Sequence, residues 1–373
     1  MTATLPTPPP PTLRLAIDTG ALADNWRALN ALSGNARAGA AVKADCYGLG
    51  VDLCVPALLA AGARDFFVAH WSELAPVLAH VPPAQVSVLH GPISADEARY
   101  ALAAGVRPVI NSLHQARLWI DVAGEGGAAC DLMIDTGINR LGIAPAELSD
   151  PLLKRLQVHT LMSHLSSAEE NTPANGHQLA AFRAAQRLVP HRETSIANSA
   201  GIALGRDFHC DVTRPGLALY GGVPTPDLAG HIRQVACPQA AIIHLRKLDA
   251  GDTVGYNREF TASGPMRVGT VSLGYADGFL RSWGAKGYLL HDGKRLPLLG
   301  KVSMDMVVVD LAEAPDLGVG DWLDIPYYLP DAAQHSGLSQ YELLTVLGHR
   351  FARHAVADCP SDAANAKTDA AQH

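Results

Sequence analysis

The chain has no run of basic residues, no Cys-x-x-Cys pair and no apolar stretch long enough to span a bilayer. Its formal charge of -7 argues against nucleic acid or an anionic membrane surface as the main partner. The six cysteines, Cys46, Cys54, Cys130, Cys210, Cys237 and Cys359, are scattered, which fits reduced thiols in a cytosol better than a disulfide framework. A cytoplasmic protein without a metal site is expected. Residues 1–12 carry four consecutive prolines and lack a basic region followed by an apolar stretch, so they read as a loose lead-in, not a secretory signal. Residues 358–373 are small and polar and read as a flexible tail.

What is present is a long alternation. Eight short apolar runs, Gly39–Ala44, Phe66–Ala69, Val86–His90, Arg107–Asn111, Asp131–Asp135, Val158–His164, Glu193–Ala197 and Asp211–Arg214, are separated by helical stretches. Ser94 with Glu97, Ser112 with Gln115 and Asn175 with Gln178 read as helix openings, and Gly105 and Gly124 as helix ends. Another helix near residues 20–32 places Leu22, Trp26, Leu29 and Leu32 on one face. Eight units predict an N-terminal (β/α)8 barrel over residues 13–235, with an open doubly wound sheet as the alternative. After Gly222 the texture becomes rich in strand formers and tight turns such as Asp292-Gly293, predicting a mostly β domain over residues 236–357.

In a barrel, chemistry gathers at the C-terminal ends of the strands. Those ends carry Lys43 and Tyr47, Asp135 to Arg140, His164, Asn198 and Ser199, and Arg214 to Leu217. A lysine ending an apolar run is partly desolvated, which lowers its pKa and suits it to form a Schiff base with an aldehyde. Hydroxyls, backbone amides beside Gly216 and a fixed cation suit a phosphorylated aromatic cofactor. Each residue also has a plainer reading: Lys43 as a snorkelling strand-end lysine, His164 as a core histidine, Arg214 as an ion-pair partner, Ser199 as a helix cap.

The segments Ala41-Val42-Lys43-Ala44-Asp45-Cys46-Tyr47-Gly48-Leu49-Gly50, Asp135-Thr136-Gly137-Ile138-Asn139-Arg140-Leu141-Gly142 and Arg214-Pro215-Gly216-Leu217-Ala218-Leu219-Tyr220-Gly221 occur in one order with Val254-Gly255-Tyr256, Gly274-Tyr275-Ala276-Asp277-Gly278 and Ser303-Met304-Asp305. Together they resemble the pyridoxal-phosphate-dependent, two-domain alanine racemases. The resemblance implies a homodimer whose active site is shared across the interface, acting on a small amino acid. It implies pyridoxal 5'-phosphate on Lys43 and two opposed acid/base groups, Lys43 and the partner subunit's Tyr256. Arg214 would face the pyridine nitrogen and His164 the ring, with Tyr47, Asn198, Ser199, Gly216 and Leu217 around the phosphate. Arg140 and Met304 would meet the substrate carboxylate, Tyr275 would line the entrance, and Asp305 would support its loop. The implied reaction is interconversion of L- and D-alanine, supplying D-alanine for peptidoglycan. A broad-specificity amino-acid racemase and a noncatalytic cofactor carrier are the alternatives.

Two positions depart from that pattern. Where many relatives have a lysine carbamate that orients the arginine, this chain has Met133, and a phosphate-contacting tyrosine of some relatives aligns with His349. Since a thioether cannot take up carbon dioxide, bicarbonate added to carbon-dioxide-depleted protein should leave activity unchanged. A bicarbonate-dependent gain would show that Arg140 is steadied by a carbamate after all.

Overall fold

The computed structural model describes residues 9–359. It divides into two compact units, residues 19–233 and residues 1–18 with 234–373, the described parts of which are considered separately.

The first unit is a closed parallel barrel. Its first strand is broken around Gly39 into Arg37–Ala38 and Ala40–Ala41. Then follow Phe66–Val68, Val86–Val88, Arg107–Ile110, Cys130–Met133, Val158–Met162, Glu193–Ser195 and Val212–Thr213. Seven pair in sequence order from Ala40–Ala41 to Glu193–Ser195. The eighth is hydrogen-bonded on both sides: Asp211 N–H donates to Thr194 C=O (3.1 Å) and Gly39 N–H to Thr213 C=O (2.9 Å). Closure therefore removes both sheet edges, and the open-sheet alternative falls.

Local signals place the helices. Ser94 and Ser112 cap their helices by accepting from the N–H groups of Glu97 and Gln115, but the returning bonds of a capping box are displaced by one residue, Glu97 and Gln115 accepting from Ile93 and Asn111 N–H. The helix Thr19–Leu32 buries Leu22, Trp26 and Leu29. One opening differs from the sequence reading: the helix Pro173–Gln186 is capped by Thr172, while Asn175 is buried inside it and donates to the carbonyls of Ser167 and Glu170. Proline is well placed at the first helical position, so the cap falls one residue before it.

Inside the barrel, Phe67, Val109, Met133, Met162 and Val212 form one apolar layer. Met133 is thus core filling. Below this layer, at the N-terminal ends of the strands, six side chains form a closed cycle. Arg37 pairs with Asp65 (2.7 Å) and with Glu193; Arg107 reaches Asp65 (3.9 Å) and Asp131 (3.4 Å); His159 lies 4.0 Å from Asp131 and 3.9 Å from Glu193.

The second unit is built on the long strand Ala236–Leu248, which bends where its register shifts between Ile242 and His244. Its first half pairs with Trp322–Asp324 and with Leu13–Asp18, which also pairs with Ala352–Val356. Its second half pairs with Met266–Val271, which continues to Val307–Asp310. Leu13–Asp18, expected at the start of the barrel segment, is therefore a central strand of the β unit. The Asp292-Gly293 turn joins Tyr288–His291 to Lys294–Pro297, as its positive-φ residues suit. No helix among the described residues is long and apolar enough to cross a membrane.

Two expectations at the ends need correction. Thr12 is tied in, its carbonyl accepting from Ala241 N–H (2.9 Å) and its hydroxyl bonded to Ser272 (2.7 Å). Cys359, expected in a loose tail, is buried and forms a disulfide with Cys237, leaving Cys46, Cys54, Cys130 and Cys210 as the free thiols. Because Ala16 pairs with Cys237 and Asp18 with Val356, strand Leu13–Asp18 brings the two cysteines together, which their sequence separation of 122 conceals. Residues 9–11 are exposed and without regular structure, and the rest of the expected lead-in and tail, residues 1–8 and 360–373, lies outside the described residues.

Peptide mapping without reductant should recover Cys237 linked to Cys359. Cys359→Ser should lower unfolding stability by about 2–4 kcal/mol. Six free thiols in the native, unreduced protein would contradict the bridge.

Candidate active site

Lys43 follows the first barrel strand and opens an unusual turn. Ala44, Asp45, Cys46 and Tyr47 all have left-handed backbones, with φ between 53° and 55°. Such conformations cost non-glycine residues roughly 1–2 kcal/mol each, so the turn must be held from outside. Asp45 accepts from Val51 N–H (2.8 Å), and Glu73 accepts from Ala44 N–H (2.7 Å). The sequence reading foresaw the glycine-containing break but not the handedness.

The half-buried Lys43 amine has its pKa lowered, first by desolvation and then by Arg140 and Arg214, against which Glu73 acts. Arg214 is buried and donates to Ser163 C=O (2.6 Å) and to Ser195 Oγ. Burial lowers its pKa to about 10, so it keeps its proton at neutral pH. His164 lies among the same charges. Arg140 is exposed and has no side-chain hydrogen bond or ion pair among the described residues, yet its charge acts on Lys43 and His164. Asp135 shapes its loop by accepting from Gly137 N–H (2.9 Å) and Asn139 N–H (3.1 Å).

The loops after strands seven and eight are stitched together by Ser199. Its buried hydroxyl accepts from Gly216 N–H (3.0 Å) and Ala218 N–H (3.2 Å), while Asn198 caps the short helix Ser199–Ala203 through Gly201 N–H (2.8 Å). Glycine is required at 216 because a Cβ there would collide with the Tyr47 hydroxyl. Tyr47 also stacks on Tyr220 at 4.8 Å, and burial raises its phenol pKa. Leu217, buried, starts the next short turn.

This set fits a phosphorylated aromatic aldehyde. It offers an amine with a lowered pKa, a buried guanidinium for a ring nitrogen, an uncharged imidazole for a ring face, and hydroxyl and first-turn N–H donors for a phosphate.

The other candidates lie in the β unit. Tyr256 sits in the turn Tyr256–Arg258 and is 63% exposed, which excludes a core role. Tyr275 N–H donates to Ser303 C=O (3.0 Å) and Ala276 N–H to Met304 C=O (3.0 Å). Gly274 allows this approach, since a Cβ would strike the Met304 carbonyl. Arg350 fixes the pair of loops, donating to both oxygens of Asp277 (2.6 and 2.8 Å) and to Asp305 (2.7 Å). Sequence reasoning missed Arg350, although it flagged the adjacent, exposed His349. It also missed Glu73, whose place just after a strand end was the available signal.

Burial, followed by Arg214, Arg140 and Lys43, pushes the His164 imidazole down to about 3. An unfolded histidine binds its proton near pH ~6.5, so this group's contribution is fully present above that pH and lost as pH falls toward 3. In chemical denaturation, His164→Asn should therefore lose less stability than the parent protein between those limits. Parallel pH profiles would exclude the effect.

Residues 17–224 match the family model for the alanine racemase N-terminal domain, and residues 235–355 that for the alanine racemase C-terminal domain. An alanine racemase of Methylobacterium nodulans is 42% identical over 359 residues, covering 91% of this chain and 95% of that protein. Agrobacterium fabrum has a biosynthetic alanine racemase at 38% and a catabolic one at 40%, each covering 91% of this chain and, respectively, 93% and 91% of their own lengths. The crystal structure of the Bartonella henselae alanine racemase with covalently bound pyridoxal phosphate superposes with a TM-score of 0.85 at 33% identity, covering 93% of this chain and all of that one. Two matched domains in order, over a barrel whose first strand is followed by a lysine with a lowered pKa, lead to one conclusion: the chain belongs to the alanine racemase family of two-domain, pyridoxal-phosphate-dependent enzymes.

Proposed function

We propose that this protein interconverts L- and D-alanine, with Lys43 and Tyr256 as the two acid/base groups. The observation that carries the reading is Lys43 at the barrel mouth, desolvated and facing Arg214 and Arg140. Pyridoxal phosphate, when bound, supplies an electron sink that acidifies the α-proton of an amino acid. Lys43 would hold it, with Tyr47, Asn198, Ser199, Gly216 and Leu217 around its phosphate, Arg214 at the pyridine nitrogen and His164 against the ring.

Racemisation removes a proton from one face of the α-carbon and returns one to the other, so two groups on opposite sides are needed. The neutral Lys43 amine takes the proton on its face, and the ammonium so formed is what gives one back there. The partner subunit's Tyr256 does so on the other, and its exposure, with that of Met304 and Met306, supports a surface that docks on a second subunit. Arg140 and the Met304 N–H bind the substrate carboxylate, Tyr275 lines the entrance, and Asp305, tied to Arg350, steadies that loop. Arg214 keeps its proton and donates, which restrains the sink and limits side reactions. His349 is exposed, as a residue that meets a ligand across an interface would be.

Because the enantiomers are equal in energy, one enzyme serves either direction; we infer supply of D-alanine for the cell wall. A noncatalytic carrier does not account for the second matched domain.

The test uses Tyr256→Phe with deuterium wash-in at the α-carbon of each enantiomer. Racemisation should fall about a hundredfold or more, while exchange persists for the enantiomer that presents its proton to Lys43. Wild-type exchange of both enantiomers would remove Tyr256 from the reaction.

A further inference from the structure

One carboxylate beside Lys43 is given no role by the chemistry above. Glu73 ends the short turn Trp71–Glu73 that follows the second barrel strand. Its Oε1 accepts from Ala44 N–H (2.7 Å), and its Oε2 accepts from Ala69 N–H (2.6 Å) and His70 N–H (3.1 Å). Ala44 immediately follows Lys43. The ladder between the first two strands ends at the bond from Val42 N–H to Phe67 C=O (2.9 Å). Two residues further along, where the backbone has turned left-handed and can no longer reach the neighbouring strand, Glu73 takes the next donor. One carboxylate thus joins the end of strand two to the start of the turn that carries the lysine.

We propose that Glu73 is the positioning residue for Lys43, its carboxylate clamping the left-handed turn to the second strand and holding the lysine side chain at the barrel mouth. The inference rests on the reading of Lys43 as the cofactor lysine. It is not a general folding contact, because the bonded donor adjoins the reacting side chain and the left-handed residues begin there. The charge serves the same lysine. From the surrounding strand ends Lys43 meets Arg140, Arg214, His164, and His90 with its edge-on neighbour His70, while Glu73 is the anion that acts on it. Neutralising Glu73 leaves the cations unopposed, so the amine should lose its proton at lower pH.

The experiment compares full-length wild-type, Glu73→Gln and Glu73→Ala proteins. Borohydride reduction of the loaded wild-type protein, followed by peptide mapping, first identifies the cofactor lysine. Pulsed acetic anhydride labelling of the stripped full-length chains across pH then gives the Lys43 midpoint. Amide exchange by mass spectrometry reads residues 44–50, and dialysis of the loaded proteins reads cofactor loss. Both variants should shift the Lys43 midpoint to lower pH. Glu73→Ala should also exchange faster at residues 44–47 and lose cofactor about tenfold faster, as expected when a charged acceptor leaves. Glu73→Gln, which keeps one acceptor, should fall between. A lowered melting temperature with an unmoved Lys43 midpoint and wild-type exchange in Glu73→Gln would overturn the clamp, even if Glu73→Ala does not fold. An adduct on a different lysine would overturn the assignment of Lys43 itself, a failure distinct from that of the clamp.

Discussion

The short ladder between the first and eighth barrel strands is the constraint on which the barrel mouth depends. Gly39 N–H donates to Thr213 C=O and Ala41 N–H to Pro215 C=O, both at 2.9 Å. An open sheet would leave these strands at opposite edges, with Lys43 and Arg214 far apart. Closure sets them side by side. It also lets the Tyr220 hydroxyl reach Ala41 C=O (2.9 Å) and brings Tyr47 against Gly216, so the loops after the two strands are packed as one piece. Charge that would repel in a mobile structure is held by these backbone bonds.

Strain and desolvation are concentrated where the chain must do chemistry. Four left-handed residues follow Lys43, and the guanidinium of Arg214 is buried on protein acceptors. Both are unfavourable locally. The surrounding barrel, with its apolar layer of Phe67, Val109, Met133, Met162 and Val212, supplies the rigidity that keeps them in place. Met133 belongs to that layer by volume and polarity, and the loop that carries Arg140 is shaped by the backbone bonds of Asp135, which leave the Arg140 side chain without a partner among the described residues.

Much of the barrel was legible because its strands are short apolar runs and some of its helix openings carry their caps. Ser94, Ser112, Gly105 and Gly124 act locally, within a few residues. The strand-end candidates were legible for the same reason: in a barrel, position along a strand fixes which end a side chain occupies. What was hidden depends on partners distant in sequence. Strand Leu13–Asp18 joins the β unit because its partners are Ala236–Leu248 and Ala352–Val356, and the Cys237–Cys359 bridge follows from that pairing. Glu73 and Arg350 act by joining separate loops, which no spacing rule reveals. The handedness after Lys43 was hidden because Ala, Cys and Tyr do not ordinarily favour it.

The cycle of Arg37, Asp65, Arg107, Asp131, His159 and Glu193 gives the barrel a direction. Burial, then Arg107, holds the His159 pKa below its ordinary value, so with a neutral imidazole two guanidinium groups face three carboxylates at the floor. At the mouth, Arg140 and Arg214 both press the Lys43 amine toward its neutral form, with Glu73 acting against them. The two ends of the barrel therefore differ in kind: at the floor every charge is engaged by its neighbours in the cycle, whereas at the mouth Arg140 has no side-chain partner among the described residues. A carboxylate that enters the mouth meets a guanidinium still open to a partner, and one that met the floor would find the cations there already bonded.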